Sequence, residues 1–439
     1  MTELLLVVAI AALVILWKLR QRARQDQLHQ IKLEQNQRDE VKIPPSLHPL
    51  IDTDRCIGCG SCVQACPEGG VLGLVKAKAL LLQPDYCVGH GKCEAACPVG
   101  AISLVLGTSE HGVEVPVTDE YFQTNVSGLY VIGELGGIGL IRNSVLQGIQ
   151  CLEAIATKTH QKTAQYDVII VGAGPAGLGA TLQAAAKKLH YLTLEQDEIG
   201  GAILRFPRRK VVMTAPVKLP IYGKIQFRDV SKEDLLQEWR RIIQKTGIKI
   251  HTRKHVNKIR RVGPFFEVFC QGECHTAANV ILALGRRGAP RKLGVPGEHL
   301  DKVLYQLDDP QDYVGRNCLV VGGGDSALEC ALMLAESGAR VWLSYRQKTI
   351  TRAKPRNRRQ LEEAVARGKI RALLPSIVTE ITPQSVRVQM DGVERNIAND
   401  IIFIMAGGVM PVELLRALGI EMRTLYGEPL PSAASNAKF

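Results

Sequence analysis

Seven cysteines between positions 56 and 97 form a ladder, Cys56-x2-Cys59-x2-Cys62-x3-Cys66-Pro67 followed by Cys87-x5-Cys93-x3-Cys97-Pro98. A run C-x2-C-x2-C-x3-C-P gives three thiolates to one cubane iron–sulfur cluster and sends its last cysteine to a second. The second run keeps that spacing as Cys87-x2-His90-x2-Cys93-x3-Cys97, so His90 stands where a cysteine ligand is expected. By the crossover rule one [4Fe-4S] cluster takes Cys56, Cys59, Cys62 and Cys97, and the other takes Cys66, Cys87 and Cys93 with His90 or an outside ligand. An imidazole in place of a thiolate removes negative charge and raises the potential, as in Rieske centres. The alternative is that His90 faces solvent and its cluster is [3Fe-4S] or holds water. C-x2-C pairs also read as zinc sites, a reading the paired prolines weigh against.

At 439 residues the chain is long enough for about three domains of ~150 residues each. The other cysteines, Cys151, Cys270, Cys274, Cys318 and Cys330, make no C-x2-C pair and read mainly as small core residues in a reducing compartment. Residues 4–17 are an unbroken apolar run followed by Lys18, Arg20, Arg22 and Arg24. That pattern predicts a transmembrane helix over 1–19, anchoring the protein to the cell membrane in a single pass with the catalytic domains in the cytoplasm. Residues 20–49 read as a polar helical stalk stopped by Pro44 and Pro45, and residues 427–439 as a loose tail. The net charge of +12 suits anionic lipid or an acidic electron-transfer partner. No nucleic-acid partner is expected, because surface aromatics at strand spacing are lacking.

Two glycine-rich turns follow. A short apolar strand over 166–171 runs into Gly172-x-Gly174-x-x-Gly177, with Pro175 and Ala176 inside the turn, and a helical stretch follows. Gly172 allows the tight turn, Gly174 lets backbone approach a pyrophosphate, and Gly177 permits close helix packing. A second strand over 191–194 ends at Glu195, placed to bind ribose hydroxyls. The pattern recurs as a strand over 318–321, then Gly322-x-Gly324-x-x-Ala327, a helix to Ser337 and a strand over 340–343. No carboxylate ends that last strand; Ser344, Tyr345 and Arg346 stand there instead. Without the acid a 2′-phosphate is not repelled, and Arg346 with Arg352 can pair with it, which favours NADPH over NADH.

Residues 50–106 resemble bacterial two-cluster ferredoxins through the cysteine ladder. Residues 112 to about 420 resemble the thioredoxin-reductase branch of two-dinucleotide flavoproteins, through Gly172-Ala-Gly-Pro-Ala-Gly177, Ala283-Leu-Gly285, Val295-Pro-Gly-Glu298 and Gly322-Gly-Gly-Asp-Ser-Ala327. That resemblance implies FAD in the first cradle, with Gly200 and Gly201 in the same site. It implies NADPH in the second, with Asp325, Ser326 and Ala327 opening the helix, Ser344 nearby, and Glu329 near the nicotinamide. It also implies a homodimer. Two departures stand out. Residues 302–315 hold no cysteine, and Ala176 stands where related bacillithiol disulfide reductases carry a thiol. The family's closing FAD motif lies ahead of the first cradle, as Thr124-Asn-Val-Ser-Gly-Leu-Tyr-Val-Ile-Gly-Glu134. A circular permutation would place Gly133 and Glu134 on the FAD ribityl or pyrophosphate, with residues 139–155 as the helix beneath the flavin.

The expected fold class is α/β: two Rossmann-like three-layer nucleotide-binding domains, a small α+β dicluster domain and the N-terminal transmembrane helix. The expected boundaries are 1–19 anchor, 20–49 linker, 50–106 ferredoxin domain, 107–160 permuted FAD segment, 161–290 FAD domain, 291–405 NAD(P)H domain and 406–439 return to the FAD domain and tail. The expected activity is electron flow between NADPH, FAD, two clusters and an external one-electron acceptor such as ferredoxin. No acid–base residue is required, so none is nominated as catalytic. The alternatives are a flavin and iron–sulfur redox sensor, or a disulfide reductase using a pair such as Cys270 and Cys274.

Overall fold

The computed structural model describes residues 2–38, 43, 46–137, 139–157, 164–213, 216–227, 229–286, 289–351, 353–409 and 411–429. The chain forms two compact units, Met1–Gly112 with Tyr426–Leu430, and Val113–Leu425.

The first unit opens with helix α1 (Thr2–Arg38), then β1 (His48–Ile51), α2 (Ser61–Ala65), β2 (Leu72–Val75), β3 (Lys78–Leu81), α3 (Lys92–Ala95) and β4 (Ile102–Leu106). β1 pairs antiparallel with β4, and Glu428–Pro429 adds to the same strand opposite Leu106 and Val105. So part of the expected loose tail is a strand; residues 430–439 lie outside the described residues. Lys76 and Ala77 take φ of 49° and 58° between β2 and β3, the twist a two-residue hairpin requires. Cys62, Leu72, Ala79 and Ile102 make a small buried core. A domain this small gains little from apolar burial, and metal clusters commonly supply the remainder.

The second half of α1 is not a free stalk. Asp26, His29 and Asn36 share one helix face, and each bonds the backbone of the β2–β3 hairpin. Asp26 Oδ1 accepts from Lys76 N at 2.8 Å, His29 Nδ1 pairs with Leu74 O at 2.9 Å, and Asn36 Nδ2 donates to Leu82 O. The expected membrane anchor is overturned, and with it the single-pass localisation. No helix among the described residues is long and apolar enough to cross a membrane. The apolar run 4–17 rises about 21 Å at ~1.5 Å per residue, short of a hydrocarbon core of ~30 Å, and Lys18 and Arg20 follow at once.

In the second unit come β5 (Val113–Pro116), β6 (Leu129–Val131), α4 (Ile141–Ala156), β7 (Tyr166–Val171), α5 (Pro175–Ala186) and β8 (Tyr191–Leu194). The strand Glu273–Leu282 organises the first sheet. Its start pairs antiparallel with Phe265–Cys270, while its end runs parallel to β6 and to β7, with β8 beyond β7. A second, all-parallel sheet has the order Val303–Leu304, Ile401–Ile404, Asn317–Val321, Arg340–Ser344 and Ile370–Leu373. The strand pair Ala289–Pro290 with Gly408–Val409 joins the two nucleotide-binding halves. Strand and helix limits around both glycine turns match the sequence pattern within about three residues, as apolar period and turn glycines specify them locally.

Candidate nucleotide and iron–sulfur sites

In the first cradle the three glycines carry separate duties. A Cβ on Gly172 would lie 2.5 Å from Ala283 O, and Gly172 itself takes φ +106°. A Cβ on Gly177 would lie 1.8 Å from Gly172 O, so no side chain fits between helix and turn. At Gly174 the nearest atom to an added Cβ is Gly201 Cα at 3.7 Å, so the protein leaves that space open for a ligand. Gly200 takes φ +143° and Gly201 φ +56°, and Gly200 N donates to Ala173 O at 3.3 Å, which lays this second loop against the first. Pro175 opens α5 at its first turn, where a missing N–H costs nothing. Glu195 is buried; one carboxylate oxygen accepts from Ala173 N at 2.6 Å and the other from Asp197 N at 3.0 Å. It therefore braces the turn from the end of β8.

The segment that precedes this cradle in sequence is folded onto it. β6 lies parallel to the end of Glu273–Leu282, on the side away from β7, and delivers Gly133 at φ +77°. A Cβ on Gly133 would come within 2.9 Å of the Ala176 methyl at the start of α5. Gly133 N donates to Gln147 Oε1 at 2.7 Å. α4 then packs on α5 through small residues: a Cβ on Gly148 would meet Ala176 O at 2.2 Å, and one on Gly179 would meet Val145 O at 2.3 Å. Glu134 is half-buried. Arg286 faces it; burial holds the guanidinium below its ordinary value, while Glu134 and Glu114 pull it back. Gln147 and Arg286 escaped the sequence reading, because neither belongs to a glycine motif.

The second cradle repeats the geometry. Gly322 takes φ +148°, and a Cβ there would lie 2.4 Å from Met405 O and 3.0 Å from the Ala327 methyl, which is how alanine is tolerated at the third position. A Cβ on Gly324 meets nothing within 4 Å. Asp325 Oδ1 accepts from Lys354 N at 2.7 Å and Asn357 Nδ2 at 2.8 Å, tying the helix start to the following loop. Ser326 is half-buried beside it. Ser344 is fully buried with its hydroxyl 2.7 Å from Ser376 Oγ, and so supports the strand end. Tyr345 packs its ring over Gly323, Arg346 is exposed, and Arg352 lies outside the described residues. Glu329 is engaged by Lys210 Nζ at 2.6 Å and by Asn357 Nδ2 at 3.2 Å.

In the first unit the cysteines separate into two sets. Cys56, Cys59, Cys62 and Cys97 line one cavity, and Cys66, Cys87, His90 and Cys93 line a second. Left-handed glycines at 58, 60, 89 and 91 wrap the chain round them. Backbone N–H groups already point at sulfur: Ala79 N at 3.4 Å from Cys56 Sγ and Ala101 N at 3.2 Å from Cys97 Sγ. Burial pushes the Cys93 thiol up to about 12 and raises Cys62 and Cys87, a penalty that bonding to metal relieves. Cys59 is exposed and held below its ordinary value, first by its bond with Ser61. His90 Nε2 lies 3.7 Å from Glu68 Oε1, and burial keeps the imidazole below its ordinary value and hence neutral at pH 7. Among the described residues no three His, Cys, Asp or Glu side chains converge as a single ion requires. A cubane instead takes one ligand on each of four irons and holds its ligands apart.

The donor sets, the spaces left at Gly174 and Gly324, and the two cysteine-lined cavities all fit the groups implied. The pyridine nucleotide-disulphide oxidoreductase family matches residues 169–430, and a 4Fe-4S dicluster domain matches residues 48–98. The chain belongs to the pyridine nucleotide-disulphide oxidoreductase family. It is similar to bacilliredoxin reductase of Bacillus subtilis (strain 168), 28% identical over 272 residues that span 60% of this chain and 84% of that one. It is also similar to ferredoxin–NADP reductase of Ignicoccus hospitalis, 27% identical over 265 residues, 58% of this chain and 82% of that one. Bacillithiol disulfide reductase from Bacillus cereus superposes with a TM-score of 0.54 at 26% identity, covering 58% of this chain and 82% of that one. The protein is an NAD(P)H-dependent oxidoreductase with FAD, NADPH and 4Fe-4S clusters as cofactors.

Proposed function

We propose that this is a circularly permuted two-nucleotide flavoprotein that sends electrons through its own clusters to an external one-electron acceptor of the ferredoxin type. The observation that carries this reading is Gly133 seated against Ala176 of the first cradle, although it precedes that cradle in the chain. Bound FAD supplies the step that divides a hydride pair into single electrons. The chain's own residues hold and orient: Gly174 and Gly324 admit pyrophosphates, Glu195 meets ribose hydroxyls, and Arg346 with Arg352 takes the 2′-phosphate. Gly133 and Glu134 face the ribityl chain or pyrophosphate, and Cys56, Cys59, Cys62 and Cys97 against Cys66, Cys87, Cys93 and His90 form the two ligand sets. A homodimer belongs to the same proposal.

Disulfide exchange is the competing reading. It needs a thiolate beside the flavin, and the cradle offers Ala176 instead. Cys151, Cys270, Cys318 and Cys330 are buried. Cys274 is exposed but sits at the start of Glu273–Leu282, about 26 Å of strand from the end that meets the cradle, at ~3.3 Å per residue. Anaerobic stopped-flow mixing with NADPH tests the proposal. Loss of the flavin band near ~450 nm should be followed by loss of cluster absorbance and by one-electron reduction of added ferredoxin. Flavin reduction with no electrons reaching the clusters sinks it.

A further inference from the structure

The first turn of α4 contains a polar side chain with no place in the fold. Asn143 is 3% exposed, and its amide nitrogen has no hydrogen-bond partner among the described residues. Leaving a buried donor unmade costs its full desolvation, so an orphan of this kind points to a partner that arrives later. Its direction follows from helix geometry. Asn143 is one turn before Gln147 on the same face of α4, and Gln147 Oε1 holds the Gly133 N–H at 2.7 Å. Ser144, one residue on, has its hydroxyl 3.8 Å from the position of a Cβ on Gly133, and Val145 faces α5. The unpaired amide therefore lies on the helix face whose Gln147 reaches the loop beginning at Gly133, in the first turn of a 16-residue helix where the positive end of its dipole falls.

We infer that Asn143 is a cofactor-positioning residue whose amide donates to an acceptor oxygen of FAD. This rests on the reading that the segment before the first cradle closes over the flavin. An asparagine amide can donate to an oxygen of the flavin ring, ribityl chain or phosphate without adding a titrating group to the site. The same amide is a net cost to the apoprotein, which gives the assignment a signature that ordinary packing lacks.

The test uses the full chain, depleted of FAD and titrated with it, for the wild type and for Asn143→Leu, Asn143→Asp and Glu134→Ala. Asn143→Leu should leave the apoprotein as stable as the wild type or more so, yet raise the FAD dissociation constant about tenfold, the worth of one hydrogen bond. Asn143→Asp should bind FAD more weakly still, since two acceptors then face each other. A more negative flavin midpoint in the Leu variant assigns the oxygen to the isoalloxazine ring; weaker binding at an unchanged midpoint assigns it to the ribityl or phosphate. Wild-type affinity in Asn143→Leu while Glu134→Ala binds weakly overturns the role of Asn143 alone. Wild-type affinity in both overturns the placement of the whole segment.

Discussion

Replacing Gly174 and Gly177 by alanine adds the same methyl group to one cradle at two points three residues apart, with opposite expected consequences. At Gly174 the new carbon is 3.7 Å from its nearest neighbour, an ordinary contact, and φ of −71° suits any residue. The apoprotein should lose no more than the few tenths to ~1 kcal/mol that separate glycine from alanine at a helix N-cap. That open space is the one a pyrophosphate requires, so FAD binding should fall by at least about a hundredfold, ~3 kcal/mol of displaced contact. At Gly177 the carbon lands 1.8 Å from the Gly172 carbonyl oxygen, over an ångström inside any tolerable approach, and the obstacle is backbone. α5 is also pinned on its other side, where Gly179 meets Val145 O and Ala176 O meets Gly148, so it has nowhere to move. Overpacking of this kind costs about 1–3 kcal/mol or more, and here it falls on the protein itself. Urea denaturation of both apoproteins, with FAD titrations followed by protein fluorescence, separates the two effects. If Gly174→Ala destabilises the apoprotein as much as Gly177→Ala, or binds FAD as the wild type does, the division of labour is wrong.

Three further outcomes follow from particular contacts. His90→Cys restores a thiolate in the second cavity and should lower the midpoint of one cluster while leaving the other in place; EPR-monitored titration reads both, and two unchanged midpoints refute ligation by His90. The Lys210–Glu329 pair, 2.6 Å apart with side chains 27% and 30% exposed, joins the two nucleotide halves. A double-mutant cycle with Lys210→Ala and Glu329→Ala should give a coupling of about 1 kcal/mol in thermal stability, and strict additivity would show that the contact carries nothing. Burial holds the His48 imidazole below its ordinary value, against the opposing bond to the Ser46 carbonyl. Its contribution is therefore full above ~6.5 and is lost as the pH falls through the lower folded value. His48→Gln should flatten the acid limb of the melting temperature between pH 8 and 5, and an unaltered slope would assign that limb to other groups.

Local pattern made much of this protein legible. The strands Tyr166–Val171 and Tyr191–Leu194, the helix ending at Ser337 and the three-glycine turns follow from apolar period and from backbone that only glycine adopts. The division of the ladder into two sets was readable for a similar reason, since fixed spacing on short loops leaves few ways to surround a cluster. The apolar run 4–17 misled, because hydropathy counts residues and does not show that the helix continues through a polar face bonded to the β2–β3 hairpin.

The sequence alone determined the chemistry: cysteines, glycines and one terminal carboxylate in spacings that admit few cofactors. Tertiary structure decided everything that depends on which segments meet. Only the parallel pairing of β6 with Leu282 and its neighbours brings Gly133 to the first cradle, and only the folded chain leaves the Asn143 amide buried with no partner among the described residues. Ser344 carries the same lesson in reverse, since a position suited to a nucleotide is filled by a bond to Ser376 that lies 32 residues away in sequence. Spacing specifies what a segment can bind, but burial and close approach are properties of pairs, and those pairs exist only once the chain has folded.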